Sequence, residues 1–435
     1  MAVYQHWDPL KAVLVGRSYA PEFYSYIKNP KVRNVMERIA IETEEDYQKL
    51  ISKLKELGVE TVLRTDIVED ESKDDAIKPY PPMTPRDYTA MVGDTWFQPG
   101  GEFGRNFDVG EHLSRIRFAD KKYLEENDSN IAKYVYDLLK PGRNLDGVTS
   151  LDRMRDDPDL RDFDYVMSAL DTDALERIIR SAETNTMGST NRSSAGRNAY
   201  RSVEKWMHDR GTSIQYDKYI NTANMTRVGK DLYFGLNNIV NYLNKDYFMD
   251  GWKRLFPNNR VHAVASPGHI DGSFSAIKPG LVLTNISPQH YEETFPDWEI
   301  VDLQANAWEQ VDGFIKVKEK NRGRWWVPGE EDNDDLADFI NTWLNDWVLY
   351  VEETVFDVNL LVVDEKNVIV NGYNKAAFDA FERHGVTPHI VNLRHRFFWD
   401  GGLHCVTSDL HREGTQQDYF PDRTESMLFL DHEAS

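Results

Sequence analysis

The chain has 435 residues, a single cysteine and a formal net charge of −22, from 51 basic against 73 acidic side chains. That length can bury a core without a disulfide or metal staple, and one cysteine excludes an internal disulfide and fits a reducing compartment. The acidic field repels phosphate backbones and so counts against nucleic acid as a partner; it suits cationic small molecules, or serves solubility alone.

The amino terminus, MAVYQHWDPLKAVLVGRSYAPEF, has no basic segment leading into an apolar one, and Asp8 interrupts it, so no signal peptide is expected. No window approaches the ~18 apolar residues of a membrane span. A cytoplasmic location is the expectation.

In chain order, KAVLVGR (11–17) reads as a strand. From about Val35 to Leu57 the residues Ile39, Tyr47, Leu50, Ile51, Leu54 and Leu57 share a helical stripe; Gly58 stops it and VETVLRT starts the next strand. In MTPRDYTAMVGD (83–94), Asp87 follows a Pro-Arg pair at an expected strand start, unless the three residues are a plain turn. Residues from about 105 to 205 break the pattern with the acidic run RDDPDLRDFDY, a short helix DALERIIRSA and a Ser/Thr/Asn/Gly-rich stretch. They read as an inserted helical and loop region, either a lid or surface decoration.

DLYFGL (231–236) resumes the strands, and MDGWKRLFPNNRVHAVA (249–265) reads as helix then strand, with Asn where a glycine stop would stand. PGHIDGSF places His269 and Asp271 two apart on an expected strand, where both would point to one face; a surface strand without a site has the same pattern. Leu336, Phe339, Ile340, Trp343 and Trp347 fall at helical spacing, which implies core packing. VNLLVVDEKNVIVNG (358–372) reads as a hairpin turning at Asp364 to Asn367, and FERHGVTPHIVNL (381–393) repeats the LKELGVETVLRT (54–65) unit. The recurring unit implies one α/β domain over residues 1–435 with internal pseudo-symmetry, although α/β proteins show such echoes generally.

The cysteine lies in GGLHCVTSDLHREG (401–414), after two glycines that would let backbone approach a planar substrate. By itself it is either a small buried hydrophobe or a nucleophile, and a nucleophile needs a nearby cation or donor and a proton-handling histidine.

Taken together, PRD (85–87), NTANMTRVGKDLYFGL (221–236), HIDGSFSAIKPGLVLTN (269–285), VNLLVVDEKNVIV (358–370) and GGLHCVTSDLHREG resemble the amidinotransferases of the guanidino-group-modifying superfamily, from near residue 10 to about 420. The resemblance implies a pentein fold, an α/β-propeller of five ββαβ-type modules with pseudo-fivefold symmetry. It implies Cys405 as nucleophile, His269 as general acid and base, and Asp87 and Asp271 as carboxylates binding a donor guanidinium, with His404 beside them at the substrate. Ping-pong transfer from arginine to an amine, with ornithine released, follows from those roles, and relatives suggest a homodimer. Water in place of the amine would make the chain an arginine-deiminase-like hydrolase.

Two departures stand out. Where the family carries an aspartate that steadies the catalytic histidine, this chain has Asn221, which can hold an imidazole but not stabilise an imidazolium; Asp217 is the nearest stand-in, and a weakened, arginine-binding relative is the alternative. The glycine-using branch has an arginine where Pro288 stands, and small hydroxyl residues where Glu352 and Glu353 stand. Losing a cation and gaining anions favours a diamine or amino-sugar-like amine over glycine, unless the glutamates are solvated rim residues. No metal cluster, phosphate loop or dinucleotide fingerprint is present in the sequence, so no cofactor is expected. The expected partners are small molecules, with neither nucleic acid nor membrane among them.

Overall fold

A computed structural model describes residues 1–67, 80–99, 199–217, 222–236, 245–265, 269–285, 291–303, 311–321, 323–344, 347–348, 358–399 and 401–429. Asn221, Pro288, Glu352, Glu353 and nearly all of the 105–205 insertion lie outside them.

Within the described residues one unit recurs in five small sheets. Each contains an antiparallel strand pair, a helical crossover and a third strand parallel to the second, the connection that parallel pairing requires. Strands β3 (Ala90–Val92) and β4 (Thr95–Pro99) lead through α2 (Arg201–His208) to β5 (Ser213–Asp217). Strands β6 (Met225–Val228) and β7 (Asp231–Leu236) lead through α3 (Lys245–Leu255) to β8 (Arg260–Ala265), with β16 (Leu428–Phe429) added at the edge. The unit returns as β9 (Phe274–Lys278), β10 (Leu281–Thr284), α4 (Tyr291–Thr294) and β11 (Glu299–Asp302), then as β12 (Leu361–Asp364), β13 (Asn367–Val370), α5 (Lys375–Arg383) and β14 (Thr387–Ile390). The last unit joins both ends of the chain: β15 (Thr407–Arg412) pairs antiparallel with β1 (Leu10–Val15), which runs through α1 (Pro30–Glu56) to β2 (Thr61–Arg64). Ring closure therefore happens beside the cysteine, since Gly16 donates its N–H to the Val406 carbonyl at 2.9 Å.

The sequence echo between residues 54–65 and 381–393 has a physical cause. After α1, Gly58 takes φ +88°, and the N–H groups of Gly58 and Val59 bond the carbonyls of Lys55 and Leu54. After α5, Gly385 takes φ +65°, and the N–H groups of Gly385 and Val386 bond Glu382 and Phe381 in the same way. Both are Schellman endings, which need a left-handed residue at one position, and a hydrophobic residue accompanies each just beyond. The third echo stops differently: α3 ends at Leu255 and Pro257 follows, so proline rather than the expected asparagine breaks it.

Other expectations shift at their edges. Helix α1 begins at Pro30 rather than near Val35, because Asn29 caps the Lys31 N–H and Pro30 fits the first helical position. The tryptophan-rich helix spans Asp334–Trp343, and Leu336 and Ile340 are buried as expected. Trp343 is 52% exposed, and Trp347 is buried but lies beyond the helix end, so helical spacing overextended that stripe.

Helix α1 positions the cysteine loop. Its Met36, Ile39, Leu50 and Leu54 join a core that also holds Val15, Trp347, Leu403 and Val406. On the same helix Asp46, buried, accepts the Arg394 backbone N–H at 2.9 Å, and Thr43 accepts the Trp399 indole N–H at 2.9 Å. The segment leading into residues 401–406 is thus tied down at two points before it reaches Cys405.

The strands converge on a buried carboxylate. Asp409 on β15 pairs with Arg86, with Arg227 on β6 at 2.9 Å, and with Arg412 at 2.8 Å. Arg412 also donates to the Asp8 and Val362 carbonyls at 2.7 Å each, and Arg227 to the Met91 carbonyl at 2.5 Å. Burial works to raise the Asp409 pKa, but the three guanidinium groups hold it well below the usual carboxylate range. Asp409→Asn leaves buried guanidinium groups uncompensated and should cost about 3–5 kcal/mol in chemical denaturation at neutral pH. A carboxyl depressed in the folded state stabilises fully above its unfolded pKa of about 3.9 and loses that contribution as pH falls toward its folded value. The gap between wild type and Asp409→Asn should therefore narrow below about pH 4 in the same titration.

Candidate active site

The residues singled out by sequence sit at equivalent places in the fold. Asp87 precedes β3, His269 and Asp271 precede β9, and His404 and Cys405 precede β15. Residues 222–224 precede β6 and Asn359 precedes β12, so the entry to the first strand of every unit contributes.

Hydrogen bonds link these entries to one another. The Thr222 hydroxyl donates to the Arg86 carbonyl at 2.5 Å, and the Ile270 N–H donates to Asn224 Oδ1 at 3.0 Å. His404 Nδ1 meets Asp271 Oδ2 at 2.8 Å. Asn359 Oδ1 accepts the His404 and Cys405 N–H groups at 2.9 and 3.2 Å, and the Arg86 N–H donates to the Cys405 carbonyl at 3.3 Å. One polar circuit thus holds together elements more than 300 residues apart in sequence.

Two local expectations are corrected. Pro85–Asp87 takes the turn alternative of the sequence reading, as 3-10 helix, rather than a strand start: the Asp87 N–H bonds Thr84, the Tyr88 N–H bonds Pro85, and β3 begins at Ala90. His269 and Asp271 are not on a strand either. His269 occupies the N-cap of a helical turn, Ile270–Ser273, and the His269 carbonyl accepts the Gly272 N–H at 3.0 Å and the Ser273 hydroxyl at 3.2 Å. Strand alternation therefore gave the wrong reason for pairing these residues, because positions two apart on a helix do not share a face. They remain electrostatic neighbours, and His269 is among the groups that lower the Asp271 pKa.

The sulfur of Cys405 is mostly buried, with 7% of the residue exposed. Asn359 Nδ2 lies 2.8 Å from it and Asp271 Oδ2 3.6 Å. Burial pushes Asp271 upward, but the His404 hydrogen bond, with the electrostatic influence of His404, His269 and Arg86 behind it, outweighs burial and leaves the carboxyl below its ordinary pKa. Burial, and then the Arg86 charge, push His404 the other way, so its imidazole is neutral near pH 7 and donates its Nδ1–H to Asp271. Asp271 Oδ1, also buried, meets no donor among the described residues.

Asn359 was missed by the sequence reading, which took VNLLVVD only as strand. The available signal was a polar residue opening a buried apolar run, together with Gly402. A Cβ at Gly402 would lie 2.5 Å from Asn359 Oδ1, so that glycine admits the amide. For Gly402 the structure shows a close approach to Asn359. Arg86, Arg227 and Asp409 were also unflagged, because opposite charges far apart in sequence carry no pairing signal.

No family model matches the chain. Over 213 residues it is 28% identical to the mitochondrial glycine amidinotransferase of Xenopus tropicalis, a match covering 48% of this chain and 42% of that protein. Over 446 residues it is 21% identical to the putative inosamine-phosphate amidinotransferase 2 of Streptomyces griseus, covering 96% and 99% of the two. Both similarities are to amidinotransferases, one over half of the chain and one over nearly all of it. Two solved amidinotransferases, SxtG of the saxitoxin pathway from Microseira wollei and inosamine-phosphate amidinotransferase StrB1 from Streptomyces griseus, each superpose with a TM-score of 0.51 at 16% identity. Each covers 96% of this chain, and 99% and 98% of those chains are matched. The five recurring units accordingly form a pentein fold. The chain spans less than half the length of the glycine amidinotransferases it matches.

Arg86 both braces the PRD turn and reaches β15, donating Nε–H to the Thr407 carbonyl at 3.0 Å while pairing with Asp409. Arg86→Lys keeps the charge but loses the fork that satisfies both acceptors. A loss of about 1–3 kcal/mol is expected, read as a lower midpoint in urea with an unchanged slope.

Proposed function

We propose that the protein moves the amidino group of L-arginine through a covalent intermediate on Cys405 to an amine acceptor. The observation that carries this reading is Asp271: a buried carboxylate kept anionic, 3.6 Å from the only thiol, with one oxygen lacking a donor among the described residues. A guanidinium is planar, permanently charged and rich in N–H groups, so it supplies what that oxygen lacks. Asp87, on the turn whose neighbouring Arg86 N–H bonds the Cys405 carbonyl, is the second carboxylate in this reading.

In the first half-reaction the Cys405 thiolate attacks the central guanidinium carbon. The C–N bond to the departing amine breaks as His269 supplies a proton, ornithine leaves, and an S-amidino group remains. The acceptor amine then attacks the same carbon and gives up a proton to His269. The C–S bond breaks and the thiolate is restored. His404 keeps Asp271 charged and oriented through the cycle. Asn221 belongs to this reading as the amide that steadies His269, and the chemistry needs no cofactor.

Glu352 and Glu353, with Pro288 in place of a carboxylate-binding arginine, favour an acceptor with a second positive charge, such as a diamine or an amino-sugar-like amine, over glycine. A single thiol that must stay reduced suits the cytoplasm, and among the described residues no helix is long and apolar enough to cross a membrane. Small molecules remain the proposed partners, in a homodimer.

Incubation with arginine, followed by digestion and mass spectrometry, should place one amidino group on the peptide containing Cys405, with ornithine released in equal amount. An unmodified cysteine despite saturable arginine binding would mark a binding protein instead. With labelled arginine, putrescine should outcompete glycine as acceptor. Citrulline formed without any amine would identify a hydrolase.

A further inference from the structure

We propose that Asn359 is a catalytic hydrogen-bond donor that holds Cys405 in its thiolate form and stabilises the same thiolate when it is expelled in the second half of transfer. The proposal rests on Cys405 being the nucleophile of the reading above, and it assigns a role to a side chain that the reaction otherwise leaves unused.

The geometry permits one orientation of this amide. Its Oδ1 accepts two backbone N–H groups, from His404 at 2.9 Å and Cys405 at 3.2 Å, which must face an oxygen. The amide nitrogen is therefore turned toward the sulfur, at 2.8 Å. The backbone is braced as well: the Asn359 carbonyl accepts from Asn371 Nδ2 at 3.3 Å. On the other side Gly402 leaves room that a single methyl group would remove.

An amide N–H can donate but cannot accept. It stabilises negative sulfur well and the weakly accepting sulfur of an S–H group only slightly. That matters here because the nearest carboxylate favours the opposite state. Asp271 Oδ2 stands 3.6 Å from the sulfur and is held ionised, so a thiolate beside it meets a like charge until a cationic substrate enters between them. Among the described residues, neutral His404 stands on the sulfur's own loop, Arg86 on the turn before β3 donates its backbone N–H to the Cys405 carbonyl, Tyr47 on α1 interacts electrostatically with Cys405, and the turns before β3 and β9 carry Asp87 and His269. The Asn359 amide is an uncharged donor fixed on the sulfur at 2.8 Å, and it serves before and after transfer alike.

The test uses iodoacetamide, whose reaction follows the thiolate, and Cys405 is the only thiol that can report. Alkylation rate is measured against pH for wild type and Asn359→Asp, with far-UV circular dichroism as the check of folding. Aspartate keeps the oxygen for the two backbone N–H groups but removes the donor and adds a negative charge. The half-maximal pH should rise by about one to two units, the size expected for a lost hydrogen bond to a charged group, with the plateau at high pH unchanged. If Asn359→Asp does not fold, Gly402→Ala decides, since it displaces the amide from the opposite side and should raise the midpoint too. A plateau that falls while the midpoint stays put means the amide only shapes the loop, and overturns the proposal; so does a profile that does not change. Because iodoacetamide needs no arginine, this result stands or falls separately from adduct formation with the guanidino donor.

Discussion

A carboxylate at the centre of the molecule, Asp409, holds three guanidinium groups that come from three different parts of the chain. Arg86 reaches it from the turn that carries Asp87, Arg227 from β6, and Arg412 from β15 itself. Such a cluster is costly to desolvate and rigid once formed, because each guanidinium must be met in a fixed direction. Its geometric effect is to register the strand entries against one another. With three arginines on one aspartate, the surplus positive charge also acts on the groups above: Arg86 is among the causes that lower both Asp271 and His404.

From that constraint the composition of the site follows. Each of the five units begins its first strand near the same place, so each has the opportunity to contribute a side chain there. The turn before β3 brings Asp87, the stretch before β6 Asn224, the helical turn before β9 His269 and Asp271, the residue before β12 Asn359, and the loop before β15 His404 and Cys405. Residues of the proposed site that are spread over more than 300 positions of sequence come to equivalent places because the fold repeats, not because the chain doubles back once. Ring closure between β1 and β15 then seats the cysteine loop last, against a core supplied by α1.

Local rules read the scaffold well where one interaction decided the outcome. The Leu-Gly-Val and His-Gly-Val signals marked two helix endings that share one hydrogen-bond pattern, and the hairpin at Asp364 to Asn367 lies where alternation and turn residues placed it. They misread the site turns. Pro85–Asp87 and Ile270–Ser273 are each one turn long, too short for periodicity to separate from a strand, and both are held by contacts to distant segments such as Thr222 and Asn224. Trp343 failed for the complementary reason: it has the spacing of a buried residue, but it stays half exposed at the end of its helix.

What the sequence determined by itself was chemical inventory and local form: one thiol, the His-Ile-Asp and Gly-Gly-x-His-Cys blocks, a repeated strand–helix–strand unit, and an acidic surface. These depend on residues within a few positions of one another, or on resemblance carried by short motifs. Tertiary structure alone decided which of those groups share a site and in what electrical state. The facing of Asn359 toward sulfur, the His404 proton on Asp271, and the grip of Asp409 on three arginines all arise between residues whose separation along the chain is far longer than any periodicity can span, and whose charges change only when burial removes the water between them.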